Sequence, residues 1–232
     1  MTDQTTRLLL LRHGEVASHK GDVPVTPAGL GHAETVGAAL RTQLPGDVSL
    51  RFGGTRRTRE TAEAIMRGLR AGPDADAGPD VEGPSDAFAL RNPDMYLAGA
   101  RVNMVSSPTT LAEQVVGLAT ADVEQHAWWM HFIAAADRIG WWLAQEDPPG
   151  ENGRDLAERI RRFARSLADY GPTRGRTVIG VTHSPVLRSV LLAATGVDPG
   201  EPAYVTGAEV LIDTAGDLHI GPFDALAPTP TP

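Results

Sequence analysis

The stretch Leu8-Leu9-Leu10-Leu11-Arg12-His13-Gly14-Glu15 decides the reading of this chain. Four successive leucines leave no polar face, which is the signature of a short strand buried on both sides in a parallel sheet. A fixed cation and an imidazole follow directly, and Gly14 then permits a tight turn and close backbone approach. In open parallel sheets, ligands sit beyond the carboxyl ends of the strands, where Arg12 and His13 fall. A guanidinium matches phosphate oxygens, and an imidazole can be a nucleophile toward phosphorus. Taken alone, Arg-His-Gly fits equally well a histidine that only hydrogen-bonds a turn.

Outward from this stretch, strands alternate with helices. Val16 to Val25 reads as a loop, and Thr26-Pro27-Ala28-Gly29 as a helix start with Thr26 as N-cap. Leu30, Ala33, Val36, Gly37 and Leu40 share one face, and Pro45-Gly46 ends the helix. Val48 to Phe52 is a second strand, and a helix runs from about Arg57 to Leu69. Ala71 to Ser85 is a Gly/Pro/Asp-rich loop with a brief strand around Val81. Asp86 to Pro108 lacks a clean period and is expected to be irregular with a short helix.

Helical patterns return at Thr110 to Leu118 and at Asp122 to Gln145. The second carries all four tryptophans and a stripe of Trp128, Phe132, Ala136, Ile139 and Leu143. Core packing is the plain reading of that stripe; a pocket wall or a homodimer seam is the other. An amphipathic helix spans Asp155 to Tyr170, and Thr177 to Val181 is a further buried strand ending in Thr182-His183-Ser184-Pro185. Val186 to Ala194 is helical. Glu209 to Asp213 and Leu218 to Ile220 form a hairpin-like pair. This alternation specifies an α/β three-layer sandwich, a mostly parallel central sheet flanked by helices, with a helical insert at about 86–150. One domain over 1–226 and a disordered Pro/Thr-rich tail at 227–232 are expected.

Composition removes several function classes. The net charge of −8 argues against a nucleic-acid partner, which requires a basic face. No apolar run reaches the roughly 18 residues needed to span a membrane, and Met1 to Thr6 does not open a signal peptide, so a cytoplasmic protein is expected. The absence of cysteine excludes disulfides, thiolate metal sites and a cysteine nucleophile.

Three strand ends carry the chemistry: Arg12-His13, Thr182-His183, and the turn leading into Arg56-Arg57-Thr58-Arg59-Glu60-Thr61-Ala62. If these strands are neighbours, two imidazoles and one or two guanidiniums converge at one sheet edge. Backbone N–H groups near Ser184, at a helix start, add anion-binding capacity. Arginines repel a metal cation, and no Asp/Glu/Cys cluster has ligand spacing, so neither a metal nor a cofactor is expected.

Leu11-Arg12-His13-Gly14-Glu15, Arg57-Thr58-Arg59-Glu60-Thr61-Ala62 and Val181-Thr182-His183-Ser184 together resemble the histidine phosphatase superfamily, the phosphoglycerate-mutase-like fold. Thr26-Pro27-Ala28-Gly29 and Gly150-Glu151-Asn152 resemble further family segments, in the expected order. The resemblance implies that His13 becomes the phosphohistidine, that Arg12 and Arg57 bind the phosphoryl oxygens, and that His183 donates a hydrogen bond to them. Glu15 matches the motif and is expected to orient the loop from outside the first layer. One position departs from the pattern. The family's proton-donating Glu, in a Leu-Arg-Glu segment, falls on Asn92 in Leu90-Arg91-Asn92-Pro93-Asp94. An amide donates no proton, so Asp94 is the expected replacement, with Asp86 next.

The resulting expectation is a metal-independent phosphomonoester hydrolase acting on a small phosphorylated metabolite. The alternatives are a phosphomutase and a phosphate-binding homologue that has lost turnover.

Overall fold

The computed structural model describes residues 5–18, 21–44, 46–72, 78–169 and 171–227. The four leucines form the middle of β1 (Thr6–Arg12), and each is completely buried. Alternation sends Leu9 and Leu11 to one face of the sheet and Leu8 and Leu10 to the other, and each pair enters a different apolar cluster. Burial of one such side chain is worth about 1.5–3 kcal/mol, so these four anchor both halves of the core.

β1 lies between two strands distant in sequence. It pairs in parallel with β6 (Thr177–Thr182) and antiparallel with β7 (Gly207–Ile212). With β2 (Val48–Phe52), β3 (Val81–Asp86) and β8 (Leu218–Phe223), the sheet order is β3-β2-β6-β1-β7-β8. The first four strands in that order are mutually parallel, and the β7–β8 hairpin closes one edge antiparallel. This is the mostly parallel α/β sheet expected from the alternation.

Helices cover both faces. α1 (Pro27–Gln43) starts where Thr26 accepts the Gly29 N–H, with Pro27 in the first turn. α2 (Arg56–Arg70) starts at Thr55, whose side chain forms a reciprocal capping pair with Thr58. These two pack over Leu9 and Leu11. α7 (Gly153–Asp169) and α8 (Ser184–Thr195) pack over Leu8 and Leu10.

The insert differs from its expected form. Asp86–Pro108 contains a hairpin, β4 (Met95–Leu97) with β5 (Ala100–Val102), turned by Ala98 and Gly99 at φ 49° and 78°. Strands of three residues are too short to show a period, which is why the sequence reads as irregular there. The helix expected over Thr110–Leu118 is only α3 (Pro108–Ala112). The long helix expected over Asp122–Gln145 is three: α4 (Thr120–Glu124), α5 (Ala127–Ala134) and α6 (Arg138–Leu143). Ala135 is extended, and Asp137 caps α6 by accepting the Gly140 N–H, so the chain turns between α5 and α6. Trp129 and Trp142 are completely buried in the core, whereas Trp128 and Trp141 pack against its edge. The tail expected at 227–232 lies outside the described residues apart from Ala227, as does Tyr170.

Candidate active site

Register brings the two histidines together. Arg12 is opposite Thr182 across β1 and β6, and the His13 N–H donates to the Thr182 carbonyl (3.0 Å). His13 and His183 therefore leave adjacent parallel strands side by side, with ring centroids 5.5 Å apart. On the other side of β6, Phe52 is opposite Val181, and the Gly53 N–H donates to the Val181 carbonyl. The following turn into α2 delivers Arg57 to His183, with Nη2 3.4 Å from Nδ1. Arg12, His13, Arg57, His183 and Ser184 all line one cavity of about 420 Å³.

The ring of His13 has a fixed tautomer. A carbonyl oxygen can only accept, so the 2.8 Å contact with the Gly14 carbonyl places a proton on Nδ1 and the lone pair on Nε2. Gly14 is itself held by its N–H donating to Thr61 Oγ1 (2.8 Å), whose hydroxyl donates to the Arg57 carbonyl (2.7 Å). Thr61 thus ties the loop after His13 to the helix that carries Arg57. Glu15 accepts from the Thr26 hydroxyl (3.0 Å) and joins the same loop to the start of α1.

His183 is buried. Desolvation first, then the positive charge of Arg57, holds its ring well below the ordinary imidazole range, so it is neutral at physiological pH. Nη2 of Arg57 (3.4 Å) and the Gly53 backbone both bond the His183 ring. Nε2 of His183 is buried and has no hydrogen-bond partner among the described residues, and the same is true of Nε of Arg12 and Nε of Arg57. Buried polar groups are ordinarily paired. Two guanidiniums and an imidazole, each with an unpartnered nitrogen and each lining one cavity, suit the oxygens of a phosphoryl group.

Arg12 is held by a loop that sequence reasoning missed. Its Nη1 donates to the Pro202 carbonyl (2.5 Å), its Nη2 meets Glu201 (2.6 Å), and its guanidinium lies 4.2 Å from the centre of the Tyr204 ring. Glu201 also accepts from the Ser184 hydroxyl (2.5 Å). The hydroxyl of Ser184 is therefore engaged, and its backbone N–H, at the start of a helix without a side-chain cap, is the group presented for an anion. No motif marks Gly200-Glu201-Pro202; only the pairing of Arg12 and Val205 backbones reveals it.

Asn92 lines the same cavity as His13, at the position where the family resemblance expects a proton donor. The turn bearing it is fixed from three sides. Thr182 Oγ1 donates to the Leu90 carbonyl (2.6 Å), and Arg159 Nη2 donates to the Arg91 carbonyl (2.7 Å). A Cβ on Gly53 would lie 2.2 Å from the Leu90 carbonyl oxygen, so only glycine lets the turn sit on the sheet edge.

The proton-donor role expected for Asp94 is corrected. Its carboxylate is ion-paired with Arg91 and with Arg101 (2.6 Å), and these hydrogen bonds, with Arg91 the larger influence, hold its pKa at about 2. Such a group is ionised at neutral pH, and it lines neither of the two cavities at this sheet edge. The second of these, about 870 Å³, opens beside the first; Arg57, Asn92, Met104 and Val105 line both. Asp86 lines this outer cavity. Among the described residues, no group of three or more His, Asp or Glu side chains has metal-binding geometry. No helix among them is long and apolar enough to cross a membrane.

The sequence pattern of the histidine phosphatase superfamily (branch 1) matches residues 8–78 and 111–210. Among curated proteins, none matches. The fold is similar to that of a mycobacterial glucosyl-3-phosphoglycerate phosphatase, with a TM-score of 0.58 and 17% identity over 94% of this chain and 97% of that one. It is also similar to a phosphoglycerate mutase from Bacillus anthracis, with a TM-score of 0.57 and 14% identity over 95% and 93%. The interval left unmatched, 79–110, includes β3, the Asn92 turn and the β4–β5 hairpin.

Proposed function

This chain belongs to the histidine phosphatase superfamily, and from that premise we propose that it is a metal-independent phosphohydrolase of small phosphorylated metabolites, working through a phosphohistidine at His13. The observation that carries the reading is the convergence of Arg12, Arg57 and His183, each with a buried nitrogen unpartnered among the described residues, on the cavity that His13 lines. Nε2 of His13 forms the bond to phosphorus as the bond to the leaving oxygen breaks. The two guanidiniums neutralise charge on the equatorial oxygens, and the ring of the neutral His183 lies beside them. Water then attacks phosphorus, and the N–P electron pair returns to His13.

Fixed arginines supply the positive charge that a metal supplies elsewhere, so activity is expected to persist in EDTA. The test is single-turnover reaction with 4-nitrophenyl phosphate followed by a quench in alkaline detergent. An acid-labile, base-stable phosphoenzyme is expected, and its absence from a protein that turns over would overturn the covalent mechanism.

A further inference from the structure

We infer that this protein acts on phosphoryl donors whose leaving group departs as a stable anion, acyl phosphates and phosphoanhydrides, and that Arg101 receives that departing anion. This rests on the phosphohistidine reading above and moves its substrate from esters of simple alcohols to phosphoryl groups on acidic oxygens.

The first observation is the chemistry of the carboxylates around the nucleophile. A general acid must come within about 2.6–3.2 Å of the leaving oxygen, which is bonded to the phosphorus that His13 attacks. Among the described residues, the carboxylates lining the His13 cavity are Asp137 and Glu201. Asp137 pairs with Arg188 (2.6 Å), and that hydrogen bond is the main reason its pKa sits at about 2. Glu201 is tied to Arg12 and to the Ser184 hydroxyl. Asp22, Asp86 and Glu113 line the outer cavity only, and Asp22 accepts from the Arg56 N–H (2.8 Å). The residue in place at the leaving side is Asn92, which can donate a hydrogen bond but cannot transfer a proton. An alkoxide leaves poorly without protonation, at a cost of about 10²–10⁴ in rate, whereas a carboxylate or a phosphate leaves without it.

The second observation is independent. Strand alternation in β5 buries Val102 in the core and turns Arg101 and Asn103, its neighbours on either side, to the outer cavity. Arg101 is anchored through Nε to Asp94, and its two terminal nitrogens have no partner among the described residues. A guanidinium fixed at one nitrogen and presenting the other two is a fork for a carboxylate or phosphate. It lies in the cavity that shares Arg57 and Asn92 with the one that His13 lines.

The bonds balance without an acid. The His13 lone pair forms the N–P bond, and the P–O pair leaves with the carboxylate or phosphate oxygen. Water restores the enzyme, losing one proton to solvent and giving orthophosphate.

The test compares kcat/KM of the intact protein for acetyl phosphate, adenosine diphosphate, 4-nitrophenyl phosphate and glycerol 3-phosphate, with phosphoenzyme measured for each. The first three are expected to exceed glycerol 3-phosphate by about 10²-fold or more. N92E is expected to raise glycerol 3-phosphate turnover by about 10²-fold with little change for nitrophenyl phosphate. R101Q is expected to lose at least about tenfold more with adenosine diphosphate than with nitrophenyl phosphate, the worth of one charge-assisted hydrogen bond. Acetyl phosphate faster than the diphosphate marks an acyl donor as the source; the reverse marks an anhydride. Wild-type turnover of glycerol 3-phosphate within tenfold of the other three overturns the inference while leaving the phosphohistidine intact. Uniform losses in R101Q overturn the assignment of Arg101. No turnover and no phosphoenzyme with any donor overturns the reading beneath both.

Discussion

The sheet edge and the insert that faces it are built on different principles. At the sheet edge, Arg12, His13 and His183 are placed by backbone register: parallel pairing of β1 with β6 fixes where the side chains emerge. Across the cavity, Asn92, Phe132, Asp137 and Ile139 come from short elements between 86 and 150, held by side-chain contacts rather than a ladder. Arg188 of α8 is one such contact. It is 1% exposed, forms a bidentate pair with Asp137, and also pairs with Asp198 ahead of the Glu201 loop. On the proposed reading, the chemistry belongs to the rigid side and the choice of leaving group to the adjustable side.

The contrast can be broken most forcefully on the rigid side. His13→Ala is expected to lower kcat by roughly 10⁴–10⁶-fold and to remove the base-stable phosphoenzyme, because the proposed covalent step runs through this ring. Substantial turnover in that variant, measured with 4-nitrophenyl phosphate, would end the covalent scheme. Arg57→Gln comes next, at about 10²–10³-fold in kcat, the usual worth of one donor to the developing charge. An effect confined to KM would make Arg57 a binding residue only.

On the insert side the expected effects are smaller and of a different kind. Arg188→Met should destabilise the protein by about 2 kcal/mol in urea unfolding, below the full cost of breaking a buried pair because its partners reach water. The Arg188 pairs depress the carboxyls of Asp137, to about 2, and of Asp198 in the folded state. Their stabilisation is therefore complete above the unfolded carboxyl pKa near 4 and is lost as pH falls toward 2. The variant should show a shallower loss of stability between pH 4 and 2; an unchanged slope would place the acid sensitivity elsewhere.

His183 acts in a higher window. Its ring is depressed in the folded state, so the stability it contributes is present above about pH 6.5 and falls as pH drops below that. The smallest change is expected for Asp94→Asn. With its carboxylate occupied by Arg91 and Arg101, alkyl and nitrophenyl phosphate rates should shift together, within about threefold. Selective slowing of the alkyl ester would restore Asp94 as the proton donor.

Much of the rigid side was legible because its signals are local. Leu8 to Leu11 announce a strand buried on both faces, and Thr26-Pro27 announces a helix start from the N-cap and first-turn preferences of those two residues. Residues just past such strands have to lie at the sheet edge, so His13 and His183 could be named before their neighbours were known. The insert gave weaker signals. Met95–Leu97 and Ala100–Val102 are too short to alternate visibly, and Ala135-Ala136 interrupts a tryptophan stripe without any residue that breaks helices by propensity.

The sequence by itself determined the α/β layering, the two histidines and two arginines at strand and helix starts, and the amide at Asn92. Tertiary structure decided which charges are already satisfied. Asp94 was named as an acid because it is close in sequence to Asn92, yet two arginines, one three residues before it and the other across the β4–β5 hairpin, hold it ionised. Glu201 entered the site only because the backbone of Arg12 bonds to Val205 and Thr206. A motif specifies which groups are available at a strand end. Their protonation and pairing depend on through-space distances of a few ångströms to segments far away in the chain, and those distances exist only once the sheet and its insert have closed around them.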